Sequence, residues 1–148
     1  MAAHVAKLTR FSERGAPGED LPEMTLLQGL GVEGDFFQGG NRQVSLLSIE
    51  ARRWMEEQEE RGLCFDRFKE NILFQGLPME TLEPGDLLDM RSAVLRISPF
   101  KKPCFKECPR YSKGLLCRLS QCAKFAIVEQ GGTVRAGDLV AVRQGTQD

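Results

Sequence analysis

Histidine is almost missing from this chain: His4 is the only one in 148 residues. A Ser-His-Asp set would have to be built on that residue alone, in a segment near the N-terminus that reads as strand, so His-based catalysis and His-rich metal sites have little support. A dominant charge is missing too, because 20 Lys and Arg face 21 Asp and Glu for a formal charge of −1. The whole chain therefore lacks the polyelectrolyte character that draws proteins to nucleic acid or anionic lipid. Long apolar runs are absent: stretches such as Val44 to Leu47, interrupted by Ser45, fall far short of the ~18 residues a membrane span needs. The first eleven residues carry His4, Lys7 and Arg10 and no apolar block, which argues against a secretory signal and for a cytoplasmic address. The length suits one domain over residues 1–148, since single domains centre on about 100–150 residues.

What is plentiful is glycine, 15 residues in all, which together with the local patterns predicts a turn-rich β protein. Strands are expected at 4–11, 21–27, 43–47, 71–74, 87–90, 93–97, 125–128 and 139–142, many of them separated by Gly or Pro. Pro84-Gly85-Asp86 and Ala136-Gly137-Asp138 introduce strands through the same Gly-Asp turn. Between the third and fourth strands the period changes, with Ala51, Trp54, Met55 and Gln58 on one face. This spacing predicts a helix capped by Ser48 and stopped by Gly62. Its Glu56, Glu57, Glu59 and Glu60 read as the solvated face. Closing so many strands into a barrel or rolled sheet would remove edges that invite aggregation.

Five cysteines in a reducing compartment are expected to stay reduced unless they bind metal or do chemistry. Cys64 reads as core, whereas Cys104, Cys108, Cys117 and Cys122 lie within 19 residues. Between Pro99 and Lys124 there are seven basic residues and one acid, Glu107, so this segment offers an electropositive surface for an anionic ligand such as a phosphate-bearing cofactor. A thiol beside Lys101, Lys102 and Lys106 should be easier to ionise, and Cys104, directly after Lys101-Lys102-Pro103, is the first candidate for a functional thiol. The four thiols are alternatively ligands for zinc or an iron–sulfur site, or inert buried groups. Two further features stand out. Gly31 to Gln43 is a glycine-rich loop whose backbone N–H groups could approach an anion, with Arg42 available to pair with it. It lacks the Gly-Lys-Ser/Thr ending of a P-loop and the Gly-x-Gly-x-x-Gly helix entry. Glu70-Asn71 is a polar pair just before a strand, which a turn acid and an Asx cap would also explain.

Taken in order, Gly31-Val32-Glu33-Gly34-Asp35, Gly39-Gly40-Asn41-Arg42-Gln43-Val44-Ser45-Leu46-Leu47, Glu70-Asn71-Ile72, Leu82-x-x-Gly85-Asp86, Cys104 and Gly132-Thr133-Val134-Arg135-Ala136-Gly137-Asp138 resemble the MOSC domain, named for the C-terminal domain of molybdenum cofactor sulfurase. The similarity runs from about Val5 to Val142, as in the small standalone bacterial members. The Lys102 to Cys117 stretch looks closest to variants also found fused to molybdopterin-biosynthesis domains. The resemblance implies a mainly β, barrel-like fold of the pyruvate-kinase type with few short helices, and a pocket for molybdenum cofactor or the sulfur destined for it. Carried over by motif, Cys104 would ligate molybdenum or carry a persulfide. Gly34, Asp35, Gly39, Gly40, Asn41, Arg42, Ser45, Glu70, Asn71, Lys101 and Lys102 would bind the cofactor. The chain departs from the family where a histidine commonly follows the first Gly-Asp, here Phe36-Phe37, and where small residues are common, here Phe68-Lys69.

These features lead to the expectation of a molybdenum-cofactor protein that reduces N-hydroxylated substrates or carries sulfur. A pyridoxal-phosphate-dependent desulfurase would have to be a separate partner, and a redox partner protein is a further expectation. The alternative is a non-catalytic module in which zinc or an iron–sulfur group sits on Cys104, Cys108, Cys117 and Cys122. Nucleic-acid binding is disfavoured, because Phe100, Phe105 and Tyr111 are too few and too loosely spaced for a stacking platform.

Overall fold

The computed structural model describes residues 2–145; Met1 and residues 146–148, the ends of the span read as one domain, lie outside the described residues. Among the described residues there are eleven strands: β1 (His4–Arg10), β2 (Glu19–Leu21), β3 (Glu23–Leu27), β4 (Gly31–Val32), β5 (Val44–Ser48), β6 (Ile72–Gln75), β7 (Leu87–Asp89), β8 (Val94–Ile97), β9 (Lys124–Gln130), β10 (Gly132–Arg135) and β11 (Ala141–Arg143). The helices are α1 (Ile49–Glu57), α2 (Pro109–Ser112) and α3 (Arg118–Cys122), with a 3₁₀ turn at Met79–Thr81. Eight strands form one curled sheet in the order β11-β7-β8-β9-β5-β6-β1-β2, and β10-β3-β4 form a second. The mainly β, barrel-like expectation thus holds. No described helix is long and apolar enough to cross a membrane.

Where one strand was expected at 21–27 there are two, because Pro22 has no N–H to give to a ladder. The chain changes sheets there: β2 pairs with β1, and β3 pairs with β10 and β4. The Ser48 cap is as expected, its hydroxyl accepting the Ala51 N–H at 3.2 Å. The helix ends earlier than Gly62, however: Gln58 already has extended backbone, and its N–H bonds to the Met55 carbonyl. Ala51 and Met55, four residues apart, are its buried face.

One feature of the topology shapes the rest. β5 and β6 are parallel neighbours, and parallel neighbours cannot be joined by a tight turn, so a long crossover is required. Helix α1 fills its first half. Residues 58–71 return to the sheet as an irregular segment held by Arg52, which donates to the carbonyls of Phe65 at 2.6 Å and Phe68 at 2.5 Å. The core runs beneath both, from Val5 and Leu8 through Leu46, Leu47, Phe65, Ile72 and Phe74 to Leu95 and Val128.

Candidate functional site

Asp35 is a carboxylate only 7 % exposed. It accepts the Phe11 N–H at 2.8 Å, the Phe37 N–H at 3.1 Å and the Asn71 side-chain amide at 3.0 Å. These three donors take the place of the water such a carboxylate would otherwise bind. Asn71, 4 % exposed, is the hub. Its amide also donates to the Thr9 carbonyl at 3.1 Å, and its oxygen accepts the Ser45 N–H at 3.0 Å and the Ser45 hydroxyl at 3.1 Å. One side chain therefore ties β1, β5 and the glycine loop to the start of β6.

These three residues line a cavity of about 450 Å³, within the range of small-molecule sites. Its walls are aromatic, from Phe11, Phe37, Phe68 and Phe125, and its cations are Arg14, Arg42, Arg67 and Lys69. None of these four cations forms a salt bridge among the described residues. Of the acids that line it, Asp35 is held by its three donors, Asp66 pairs with Arg61 at 2.9 Å, and Glu13 is exposed to solvent. The Arg42 guanidinium lies 5.3, 5.0 and 5.1 Å from the ring centres of Phe37, Phe100 and Phe125. Aromatic faces hold the cation without neutralising it, which leaves its charge available to an anion. The arrangement suits a planar ring system stacked among aromatics and carrying a negative group.

The glycine loop is fixed by a residue the sequence did not single out. Gln43, 4 % exposed, donates to the carbonyls of Gly29 at 3.1 Å and Gly40 at 3.0 Å and accepts the Val128 N–H at 3.0 Å. Gly31 has a φ of +132°, and a Cβ there would lie 2.7 Å from the Gln43 carbonyl oxygen. Only glycine lets the loop pass so close.

Of the residues expected to bind a cofactor, Asp35, Arg42, Ser45 and Asn71 line this cavity together. Gly34, Gly39, Gly40 and Asn41 shape the loop beside it without lining it. Glu70 faces elsewhere: the Arg52 guanidinium grips it at 3.0 and 2.5 Å, while its neighbour Asn71, at a bend before β6, turns to Asp35. Lys101 and Lys102 line a separate surface depression with Lys124, whose amine is pushed down mainly by burial. Phe11, Arg14 and Arg67 carried no motif, and Lys69 stood out only as a departure from the family pattern. The segment after β1 and the crossover bring them to the cavity, which no local pattern shows.

The cysteines gather in a different pattern from the four-residue cluster. Cys104, Cys108 and Cys117 line a second cavity of about 260 Å³ together with Cys64. Cys122 is buried, with its thiol 3.7 Å from Glu80 and pushed up by burial and by that carboxylate. Among the described residues no three His, Cys, Asp or Glu side chains are grouped so as to hold a metal ion.

No curated protein matches the chain. Among solved structures it is similar to the YuaD protein of Bacillus subtilis, with 21 % identity, a TM-score of 0.72 and 99 % and 98 % of the two chains covered. YiiM of Escherichia coli is also similar, with 22 % identity, a TM-score of 0.62 and coverage of 98 % and 72 %. YiiM of Geobacillus stearothermophilus gives 16 %, 0.65, and 96 % and 75 %. The fold is thus shared with all three. The sequence model of the MOSC domain matches residues 33–141, more than half of the chain, and takes in the glycine loop from Glu33 onward, Asn71 and the cysteine segment; the chain belongs to the MOSC domain family.

Proposed function

We propose that this chain binds molybdenum cofactor, with the pterin and its phosphate in the Asp35–Asn71 cavity. The observation that carries the reading is the uncompensated Arg42 guanidinium held among Phe37, Phe100 and Phe125 at the wall of a cavity of about 450 Å³. A flat heterocycle would stack on the aromatic walls, and its phosphate would meet Arg42, Arg14, Arg67 and Lys69. The buried Asp35–Asn71–Ser45 network offers directional partners for ring nitrogens and amides. Cys104, exposed on the segment that continues from Phe100 and lining the neighbouring cysteine cavity, would supply the soft sulfur ligand from outside the Asp35–Asn71 cavity. When bound, the cofactor would supply a redox-active molybdenum centre, able to take oxygen from an N-hydroxylated substrate with electrons from a redox partner.

The test is elemental and pterin analysis of chain expressed with molybdate and purified without oxygen. The expected result is molybdenum and pterin in equal amounts, with Arg42→Ala retaining at least about tenfold less pterin, the loss of one charge-assisted contact. Cys104→Ala should lose molybdenum while keeping its fold. Zinc or iron in place of molybdenum, or unchanged cofactor content in both variants, would overturn the reading.

A further inference from the structure

The depression lined by Lys101, Lys102 and Lys124 measures about 390 Å³ and lies where β8 ends, β9 begins and α3 packs beside them. It shares no lining residue with the Asp35–Asn71 cavity. Phe100 lines the one and Phe125 the other, their rings edge to face at 5.2 Å, so an aromatic pair divides the two.

Three observations point to a doubly charged oxyanion in this depression. The first is its charge. None of the three lysines forms a salt bridge among the described residues, and the one acid on the wall, Glu80, lies 3.7 Å from the buried Cys122 thiol. Three cations against one carboxylate leave two positive charges without a counterion. The second is that two of these cations feel each other. Burial pushes the Lys124 amine down, and the charge of Lys101 pushes it the same way, against Cys122 and Glu80. An anion between the two ammonium groups would turn that repulsion into attraction. The third is Ser98, only 3 % exposed and on the same wall. Its hydroxyl accepts the Phe100 N–H at 3.1 Å and has no acceptor for its own proton among the described residues. A buried hydroxyl donor of this kind is satisfied by a ligand oxygen.

We propose that this depression binds a phosphate group, held by Lys101, Lys102 and Lys124 with the Ser98 hydroxyl as a directional donor. A phosphate carries about two negative charges at neutral pH, which the lining charge matches. Ammonium groups suit it as point charges that approach from several sides. The remaining wall, from Pro84, Ile97, Phe100 and Ala123, is apolar and offers room for the carbon body of a phosphate ester. The site stands apart from the cofactor reading, because it uses a different cavity and because Lys124 and Ser98 have no part in that reading.

The test acetylates the full-length chain with limiting acetic anhydride and maps the modified lysines by peptide mass. Inorganic phosphate and, separately, ribose 5-phosphate are compared with chloride at equal ionic strength. Phosphate should slow acetylation of Lys124 at least about fivefold where chloride does not, as expected of a group covered by a bound ligand, while exposed Lys106, which does not line the depression, should be unaffected. Half-protection by ribose 5-phosphate at least about tenfold below inorganic phosphate would identify an ester as the source, and equal or weaker protection the free ion. Ser98→Ala should raise the phosphate concentration that half-protects Lys124 at least about threefold, and Lys124→Gln that for Lys101 at least about tenfold. Both variants should retain molybdenum and pterin as the unsubstituted chain does. Protection of the unsubstituted chain depends neither on how a variant folds nor on any cofactor, so it is decided separately from the cofactor reading. Equal protection by chloride, unchanged phosphate dependence in both variants, or loss of pterin from Lys124→Gln, which would assign these lysines to the cofactor, would overturn the proposal.

Discussion

Replacing Asn71 with Leu tests the hub of the main cavity. The substitution keeps the branched shape and the number of heavy atoms but removes the amide that bonds Thr9 and Asp35 and the oxygen that accepts from the Ser45 N–H and hydroxyl. The Ser45 hydroxyl keeps the Asn71 backbone N–H and the Lys69 carbonyl, and Asp35 keeps two backbone donors. The main losses are therefore one donor to Asp35, one to the Thr9 carbonyl and one acceptor for the Ser45 N–H. At about 1 kcal/mol or slightly more for each buried group left short, the expected destabilisation is about 3 kcal/mol. That is a large part of the ~5–15 kcal/mol that holds a domain together. Trp54, the chain's one tryptophan, packs at 6.0 Å from the Phe65 ring and reports unfolding by fluorescence. With a urea slope of about 2 kcal/mol per molar, the midpoint should fall by about 1.5 M without a change in slope. Ser45→Ala alone should cost less, and the double variant should cost less than the sum, because both residues share the same bonds. A midpoint shift below about 0.5 M in Asn71→Leu, or strict additivity with Ser45→Ala, would refute the hub argument.

Gly31→Ala should lower stability by about 2–3 kcal/mol, since its backbone is in the positive-φ region and its Cβ would press on the Gln43 carbonyl. A thermal melt should show Tm reduced by roughly 5–10 °C, and an unchanged Tm would count against the close approach. Glu129 is held below the usual carboxylate range by its hydrogen bond to Arg96, burial opposing and the Arg96 charge adding to it. Its native value is lowered, so the pair adds stability above the ordinary glutamate range, and that increment is lost as the pH falls through the native value. The pair is largely exposed, so the increment should be under about 1 kcal/mol, absent in Glu129→Gln and reduced by salt when melts are compared across pH.

Much of this protein could be read from local patterns. Ser48 and the 3.6-residue spacing of Ala51 and Met55 marked α1, and alternation or short apolar runs marked most strands, because these signals depend on neighbours in sequence. The glycine loop, Arg42 and Glu70-Asn71 were also legible, since glycine and polar pairs before strands have local conformational meaning. Two short helices, α2 and α3, left no trace, as four or five residues are too few to show a period.

What only the tertiary structure decided is which groups meet. Asp35 and Asn71 are 36 residues apart, Gln43 and Val128 are 85 apart, and Leu63 and Cys108 are 45 apart. The parallel pairing of β5 and β6 forces the crossover that walls both cavities, Asp66 to Lys69 on one and Gly62 to Phe65 on the other. Sequence placed Glu70 and Asn71 side by side, but the bend before β6 turns one toward Arg52 and the other toward Asp35. Proximity along the chain likewise grouped Cys122 with Cys104, Cys108 and Cys117, whereas packing buries it against Glu80 and brings Cys64 to the other three. Local sequence sets what each segment tends to form, while burying the apolar faces of distant strands together determines which side chains share a cavity.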